Sequence, residues 1–308
     1  MFNYRKKIIN YFYLFLIIHL FIWTLIPSVT NENLPLDTIE ALAWGSNLDW
    51  GYSKHPPASA FFVELFYFIF GNQDWAFYFL SQIFVIFSFF IVFKVSDKIL
   101  DNKIYSFLSV ILLEGIYFYN FTTPEFNVNI CQLPFWSLTV YYSWKIYSGK
   151  EIKFLDCFLV GLFAAFGFLS KYLFIYLLVS IDLLFIYLIF LKKERKFDFK
   201  YLITIEVFLV VLVPHFIWLY NNDFITITYG LARTGLEQSS FLDHIKFPTI
   251  FLLKQLGILI PFLILSWLLV KKIKLNLNYK DKKLLFLLAI NILPIVLMFL
   301  TSLITGSK

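Results

Sequence analysis

Residues 75–95 read WAFYFLSQIFVIFSFFIVFKV, and this stretch decides the class of the protein. It contains one charged residue, Lys94, next to its end. About 20 apolar residues in a helix cross the hydrocarbon core of a bilayer. The whole chain has the same character, since 60% of its 308 residues are hydrophobic, 15% are charged, and the mean hydropathy is +0.77. A soluble domain carries more charge than that, so the sequence predicts a protein embedded in a membrane.

Nine windows of the chain are apolar and long enough to be spans. They lack the alternation of polar and apolar residues that barrel strands show, and backbone groups in lipid must find their partners within the segment. The sequence therefore predicts an all-α, polytopic fold with about nine transmembrane helices, forming one membrane-embedded unit over residues 1–308. The predicted spans are Ile8–Val29, Trp75–Val95, Ile104–Phe121, Asn127–Tyr147, Leu155–Leu169, Tyr172–Leu191, Tyr201–Leu219, Pro248–Val270 and Leu284–Leu303.

Lysine and arginine cluster in alternate connecting segments. Basic loops stay on the cytoplasmic side of a membrane, so we expect a cytoplasmic N-terminus, with all but six of the 26 Lys and Arg residues on that side. The other face would carry a first outer loop over residues 30–74 and another over residues 220–247. The net charge of +6 then reflects membrane topology, and we infer no nucleic-acid partner. The six basic residues left for the outer face are Lys54, Lys171, Arg233, Lys246, Lys254 and Lys308.

The first outer loop gathers ionisable and aromatic residues between positions 37 and 57. Asp37 and Glu40 are three positions apart, which places both carboxylates on one face of a short helix. Lys54 and His55 follow in the same loop. An aromatic belt at the membrane surface would explain the tryptophans and tyrosines of the loop, but not this collection of charges. A carboxylate near a cation and partly removed from water can act as a general base.

A second element of this loop follows the prolines at positions 56 and 57. Residues 58–70 are apolar, and Gly71 and Asn72 end the run. The run is too short to cross a bilayer. We therefore expect a helix that lies in the membrane interface.

Several motifs occur in order along the chain. The first outer loop reads Asp37-x-x-Glu40-x-x-x-Trp44-Gly45 and continues as WGYSKHPP over residues 50–57. EFN follows at residues 125–127, QLPFW at 132–136, LSKY at 169–172 and PHFIWLYNNDF at 214–224, while residues 255–261 fit the next span. This ordered set resembles the polyprenyl-phosphate-dependent glycosyltransferases. That membrane-embedded superfamily includes bacterial lipid A aminoarabinose and galacturonic acid transferases and is related to the protein O-mannosyltransferases.

The resemblance implies an inverting transfer of a sugar from an undecaprenyl-type phosphate carrier to lipid A, lipopolysaccharide or another envelope acceptor. The reaction would take place at the outer leaflet of a bacterial inner membrane, with the active site facing the periplasm. The family's first-loop aspartate, taken as base or positioner of the acceptor nucleophile, corresponds to Asp37. Many members carry a second acid directly after it, whereas here Thr38 follows and the next acid is Glu40. A divalent metal has been proposed for some members, and no ligand cluster in this sequence decides whether one is used.

Further residues are candidates for binding the donor or the acceptor. Lys171 would offset the charge that develops on a leaving phosphate, or it would only snorkel at a helix end. Glu114 lies in a predicted span, so it either lines a catalytic cavity or makes a hydrogen bond between helices. His55 would contact phosphate, act in acid-base chemistry or cap the proline turn, and Asn127 would hold a sugar hydroxyl or cap a helix. The other candidates are Lys54, Glu125, Tyr172 and Arg233, whereas His19 and His215 are expected to be structural.

Two alternative functions are open from the sequence. A transporter or flippase would carry polar residues near the middle of the membrane and helices broken by Gly or Pro in both halves, whereas the polar residues here gather outside. The other alternative is a truncated remnant of such an enzyme. Relatives usually continue through more spans, and this chain stops at residue 308, directly after a predicted span. A remnant would lack the C-terminal part of the family and, with it, acceptor binding.

Overall fold

The protein is described from a computed structural model that covers residues 2–235, 240–269, 278 and 281–307, without the side chains of residues 2–5. These residues form helices, turns and loops and contain no strand, which confirms the all-α prediction. The α-helices of this part of the chain are α1 (Phe2–Thr30), α2 (Leu36–Gly45), α3 (Ala58–Phe70), α4 (Asp74–Leu100), α5 (Lys103–Ile111), α6 (Val128–Ser148), α7 (Phe154–Ser170), α8 (Ile175–Ile186), α9 (Lys200–Asn221), α10 (Ile225–Thr234), α11 (Asp243–Leu269) and α12 (Lys282–Thr305).

Six helical segments in the described residues are long and apolar enough to cross a membrane, as a polytopic membrane protein requires. The predicted number of nine spans is not confirmed. Helix α7 has 17 residues and rises only about 25 Å at 1.5 Å per residue, while α6 carries polar side chains such as Gln132 and Lys145. The six segments are Lys6–Thr30, Asp74–Leu100, Tyr172–Leu191, Lys200–Asn221, Asp243–Leu269 and Lys282–Thr305.

The predicted third span, Ile104–Phe121, is not a continuous helix. Helix α5 ends at Ile111, and short 3-10 turns follow it. The break occurs where the chain meets α11, because a Cβ atom on Gly115 would lie 2.6 Å from the Cα atom of Phe262. The prediction of one helix over these residues is therefore wrong. Hydropathy could not reveal the break, since it depends on a contact with a distant helix.

Helix α4 lies at the centre of the packing. It contacts α1, α5 and α6, while α6 packs on α7 and α7 packs on α9. Of the candidate spans, α4 is the most enclosed, with 67% of its apolar window buried. Aromatic rings fill these contacts, as in the stacked pair Phe12 and Phe93, whose centroids are 4.1 Å apart. The row α4, α6, α7 and α9 forms the frame on which the loop segments are held.

Two short helices of the predicted first outer loop agree with the sequence analysis. Helix α2 contains Asp37 and Glu40, and α3 occupies residues 58–70, the run predicted to be helical. Helix α3 packs against α2 and also contacts α4, α6 and α7. The loop is therefore packed against α4, α6 and α7 through α3. The predicted outer segment 220–247 contains α10, and its residues 236–239 lie outside the described part.

Candidate functional site

The start of α2 is held by the segment that precedes α6. The Asp37 backbone N–H donates to Glu125 Oε1 at 3.1 Å, and Thr38 Oγ1 donates to the Phe126 carbonyl at 3.2 Å. The first N–H groups of a helix lack partners within it, and the residue before α2 is Pro35, which supplies no side-chain cap. The Glu125 carboxylate therefore caps α2 from a different part of the chain and fixes the position of Asp37.

Glu40 and Lys54 close the loop back onto α2. Lys54 Nζ donates to Glu40 Oε1. This hydrogen bond and the charge of Glu40 raise the pKa of Lys54, so the lysine stays protonated. The Asp37 side chain is exposed, and its carboxylate accepts no hydrogen bond from the described residues. Of the two carboxylates on α2, Glu40 is committed to an ion pair and Asp37 is available.

A hydrogen-bond chain ties the loop to α9. His215 Nδ1 lies 2.5 Å from the Trp50 carbonyl oxygen, which can only accept, so Nδ1 carries the proton. Nε2 is then an acceptor for the Tyr172 hydroxyl at 2.8 Å. Thr226 Oγ1, on α10, donates to the Tyr52 carbonyl at 2.5 Å. Residues from three separate segments thus fix the backbone of the loop, and Tyr172 acts through His215.

The close approach of α9 to this loop requires a glycine. A Cβ atom on Gly51 would lie 2.3 Å from the Trp218 ring. That indole is itself held, since Trp218 Nε1 donates to Asp49 Oδ2 at 2.7 Å. The sequence did not predict the roles of Asp49 and Thr226 or the contact of His215 with the loop. The signals were the WGY motif next to Asp49 and the PHFIWLYNNDF motif that contains His215, whereas Thr226 lies in no quoted motif.

Aromatic contacts set the position of His55. Trp44 and Tyr52 stack with centroids 5.2 Å apart, and His55 meets the edge of Trp44 at 5.9 Å. Burial, and then the charge of Lys171, lower the pKa of His55 below its usual value of 6.5. The imidazole is therefore neutral near pH 7 and offers a hydrogen-bonding group rather than a cation.

Two cations face the same region from α7 and α10. Lys171 follows the last residue of α7, and its Nζ donates to Asn129 Oδ1 at 2.5 Å. Burial, and then the charge of Arg233 at the end of α10, lower the pKa of Lys171, while Asp37 opposes the shift. The partly buried Lys171 and the exposed Arg233 therefore repel each other beside an available carboxylate. An anion placed between them would remove that repulsion.

Two predicted site residues have other contacts. His19 Nδ1 lies 2.7 Å from Glu114 Oε1, and Asn120 Nδ2 donates to Glu114 Oε2 at 3.2 Å. Glu114 thus joins α1 to the turns after α5 and is not grouped with the other candidates. Asn127 Oδ1 accepts from the Asn129 N–H at 2.9 Å and caps α6. These are the structural alternatives that the sequence left open for both residues.

The remaining candidates come together on one side of the helix row. They are Asp37, Glu40, Lys54, His55, Glu125, Lys171, Tyr172 and Arg233. Within the described residues, no three His, Cys, Asp or Glu side chains converge as they would around a metal ion.

An apolar groove of about 670 Å³ adjoins this site. It runs between α3 and the facing surfaces of α7 and α9, with Phe61 and Phe68 on one wall and Leu169 and Val211 on the other. Trp50 lies at its border, with its ring edge-on to Phe61 at 5.5 Å. The groove is thus joined to the charged region through the loop that His215 and Trp218 hold.

A comparison with known protein families identifies the family of this chain. A family model described as dolichyl-phosphate-mannose-protein mannosyltransferase matches residues 54–218, more than half of the chain. The matched range includes Lys54, His55, Glu125 and Lys171, and it ends before Arg233. No curated protein matches the chain, and no solved structure matches it.

Proposed function

Since this chain belongs to the dolichyl-phosphate-mannose-protein mannosyltransferase family and is thereby a membrane-embedded glycosyltransferase with a polyprenyl-phosphate-sugar donor, we propose that Asp37 is its base. In this proposal the acceptor hydroxyl attacks the anomeric carbon of the donor. The bond between that carbon and the phosphate oxygen breaks, and the configuration inverts. Asp37 accepts the hydroxyl proton, and polyprenyl phosphate leaves.

The observation that carries the proposal is the cation pair beside Asp37. Burial and the charge of Arg233 lower the pKa of Lys171, and a donor phosphate would offset both positive charges. Cations aimed at the leaving phosphate stabilise the negative charge that grows on it in the transition state. Arg233 is suited to contact two phosphate oxygens at once. The neutral His55 would hydrogen-bond to the same group.

The groove next to Trp50 fits the lipid part of the donor. A polyprenyl chain needs a continuous apolar surface, and the side chains of Phe61, Phe68, Leu169 and Val211 supply one. The groove meets the charged region at the loop, so a carrier lying in it would present its phosphate towards Lys171. We propose that the tail binds here.

The proposed acceptor and membrane location rest on the distribution of basic residues in the sequence. This distribution predicts that the loop with Asp37 lies on the periplasmic side of a bacterial inner membrane. The acceptor would then be lipid A, lipopolysaccharide core or another envelope glycan or lipid at the outer leaflet. Lys54 and Glu40 would shape the entrance for it, because their ion pair lies on the exposed side of α2.

The test compares sugar transfer by three purified proteins in detergent. Wild type, Asp37→Asn and Asp74→Asn receive polyprenyl-phosphate sugars with lipid A or lipopolysaccharide core as acceptor. Asp74 is an exposed carboxylate in the first turn of α4, so its variant is matched in charge. We expect transfer by wild type and Asp74→Asn and none by Asp37→Asn, with donor binding retained by all three. Unimpaired transfer by Asp37→Asn would overturn the role of Asp37.

A further inference from the structure

A second, basic cavity lies at the opposite end of α6. Its volume is about 800 Å³, and it is bounded by the end of α6, the segments around residues 149–152 and 194–200, and the start of α12. Helix α6 has 21 residues and is therefore about 31 Å long. The cavity is separated from the Asp37 site by that length. Its walls contain six cationic side chains and three carboxylates, a net charge of three positive units.

Part of that positive charge is not neutralised within the protein. Lys282 pairs with Glu194 at 3.1 Å, and Lys200 Nζ lies 4.0 Å from Asp198. The other three lysines of the cavity form no ion pair with any described residue. They are Lys150, Lys196 and Lys283, all exposed.

Two helices also begin at this cavity with a lysine. Lys200 is the first residue of α9, and Lys282 and Lys283 open α12. The N-terminus of a helix carries a partial positive charge, so acidic residues are the stabilising choice there. Asp198 and Asp281 accept hydrogen bonds from the backbone N–H groups of Lys200 and Lys283, so an aspartate stands beside the lysines at each helix start. The lysines without an acidic partner still leave the cavity with a net positive charge, which a bound anion would offset.

An apolar groove continues from the cavity along α12. It has a volume of about 400 Å³ and lies between α8 and α12, with Leu184 on one side and Leu288 and Ile292 on the other. Lys192 links the two spaces, because its Nζ lies 5.6 Å from the centre of the Tyr187 ring in the groove and 3.6 Å from Glu194 in the cavity. A ligand that fills both needs an anionic end and a hydrocarbon end.

We propose that the basic cavity binds the phosphate head group of an anionic phospholipid, with one acyl chain in the groove between α8 and α12. Basic pockets between membrane helices bind anionic lipid head groups in this way. The site is independent of the donor site in place and in contacts. The bound lipid would connect α12 to α6 and α9. The assembly of the protein would then depend on anionic lipid in the leaflet that contains the cavity.

The test measures lipid retained by the purified full chain in native mass spectrometry. Phosphatidylglycerol and phosphatidylcholine with matched acyl chains are compared on wild type and on the triple variant Lys150→Gln, Lys196→Gln and Lys283→Gln. We expect wild type to retain phosphatidylglycerol at least about tenfold more strongly than phosphatidylcholine and the variant to lose that preference. Equal retention of the two lipids by wild type would overturn the proposal.

Two controls separate this site from general charge effects. A triple variant at Lys6, Lys7 and Lys94, each changed to Gln, removes the same charge from exposed positions outside the cavity. It should retain phosphatidylglycerol as wild type does, and an equal loss in both triple variants would overturn the assignment. Ile292→Trp should fill the groove and weaken lipid retention. If soluble glycerol 3-phosphate displaces the lipid at the lipid's own concentration, the ligand is a free phosphate and the lipid proposal is wrong.

Discussion

Replacing Gly51 with alanine tests the geometry that holds the loop above the site. The new Cβ atom would lie 2.3 Å, 2.5 Å and 2.8 Å from three carbons of the Trp218 ring, whereas carbon atoms in contact prefer about 3.5–4.0 Å. The indole cannot swing aside without breaking its 2.7 Å hydrogen bond to Asp49. Inserting a methyl group into such a contact costs about 1–3 kcal/mol.

This destabilisation would displace the loop before the whole protein unfolds. At about 2 kcal/mol, the displaced position of the loop becomes roughly 30-fold more populated. Because the loop carries Lys54 and His55, we expect Gly51→Ala to lower the rate of sugar transfer at least tenfold and Tm by a few degrees. The assay combines transfer with thermal unfolding in detergent, monitored by intrinsic tryptophan fluorescence.

The chain offers a matched control in Gly230. It lies in α10, and no heavy atom is found within 4 Å of a Cβ built there. Gly230→Ala should keep the transfer rate and keep or raise Tm, since alanine favours a helix by about 0.5–1 kcal/mol over glycine. Adding Trp218→Ala to Gly51→Ala removes the clash, so the double variant should lose less than the two single losses combined. If Gly51→Ala behaves like Gly230→Ala, the packing argument is refuted.

Three further predictions concern charges at the site. Lys171→Gln should reduce kcat at least about tenfold, because the contact with the donor phosphate is lost. Lys171→Arg should keep part of the wild-type kcat. If Lys171→Gln transfers sugar as fast as wild type, Lys171 does not contact the phosphate. Glu125→Gln keeps an oxygen for the Asp37 N–H and should retain most transfer, whereas Glu125→Ala should destabilise α2 by about 1 kcal/mol, visible as faster hydrogen exchange in α2. The lowered pKa of His55 means that the folded state resists its protonation, so stability is complete above about pH 6.5 and falls as pH drops through the lowered pKa. Tm should therefore fall less in His55→Gln than in wild type between about pH 7.5 and pH 5.5, and identical falls would contradict this assignment.

Local signals allowed parts of the fold to be predicted from the sequence. Helix α3 occupies residues 58–70 as expected, because a proline pair before it and Gly71 after it mark both ends of an apolar run. The prediction of the third span was wrong because no local signal marks its break. The break depends on the contact of Gly115 with Phe262, and these two residues are too far apart in the sequence to fall within one hydropathy window.

In the candidate site, too, the sequence predicted the residues with local signals and missed their distant partners. Motif order and the distribution of lysines placed Asp37 and Lys171 on one face, and the structure brings both to one region with Arg233. The partners of these residues could not be predicted, because they come from distant segments. Glu125 reaches Asp37 across 88 positions, and His215 reaches Trp50 across 165. A polar residue in a predicted span, such as Glu114, gives no sequence signal that separates a structural contact from a functional site.

Donor choice, measured together with product stereochemistry, is the direct test of the proposed transfer reaction. Purified wild type is given a labelled sugar either on polyprenyl phosphate or on a nucleotide, and the product anomer is identified by NMR spectroscopy. We expect transfer from the lipid donor alone, release of polyprenyl phosphate and an anomeric configuration opposite to that of the donor. Transfer from the nucleotide sugar, or retention of configuration, would contradict it.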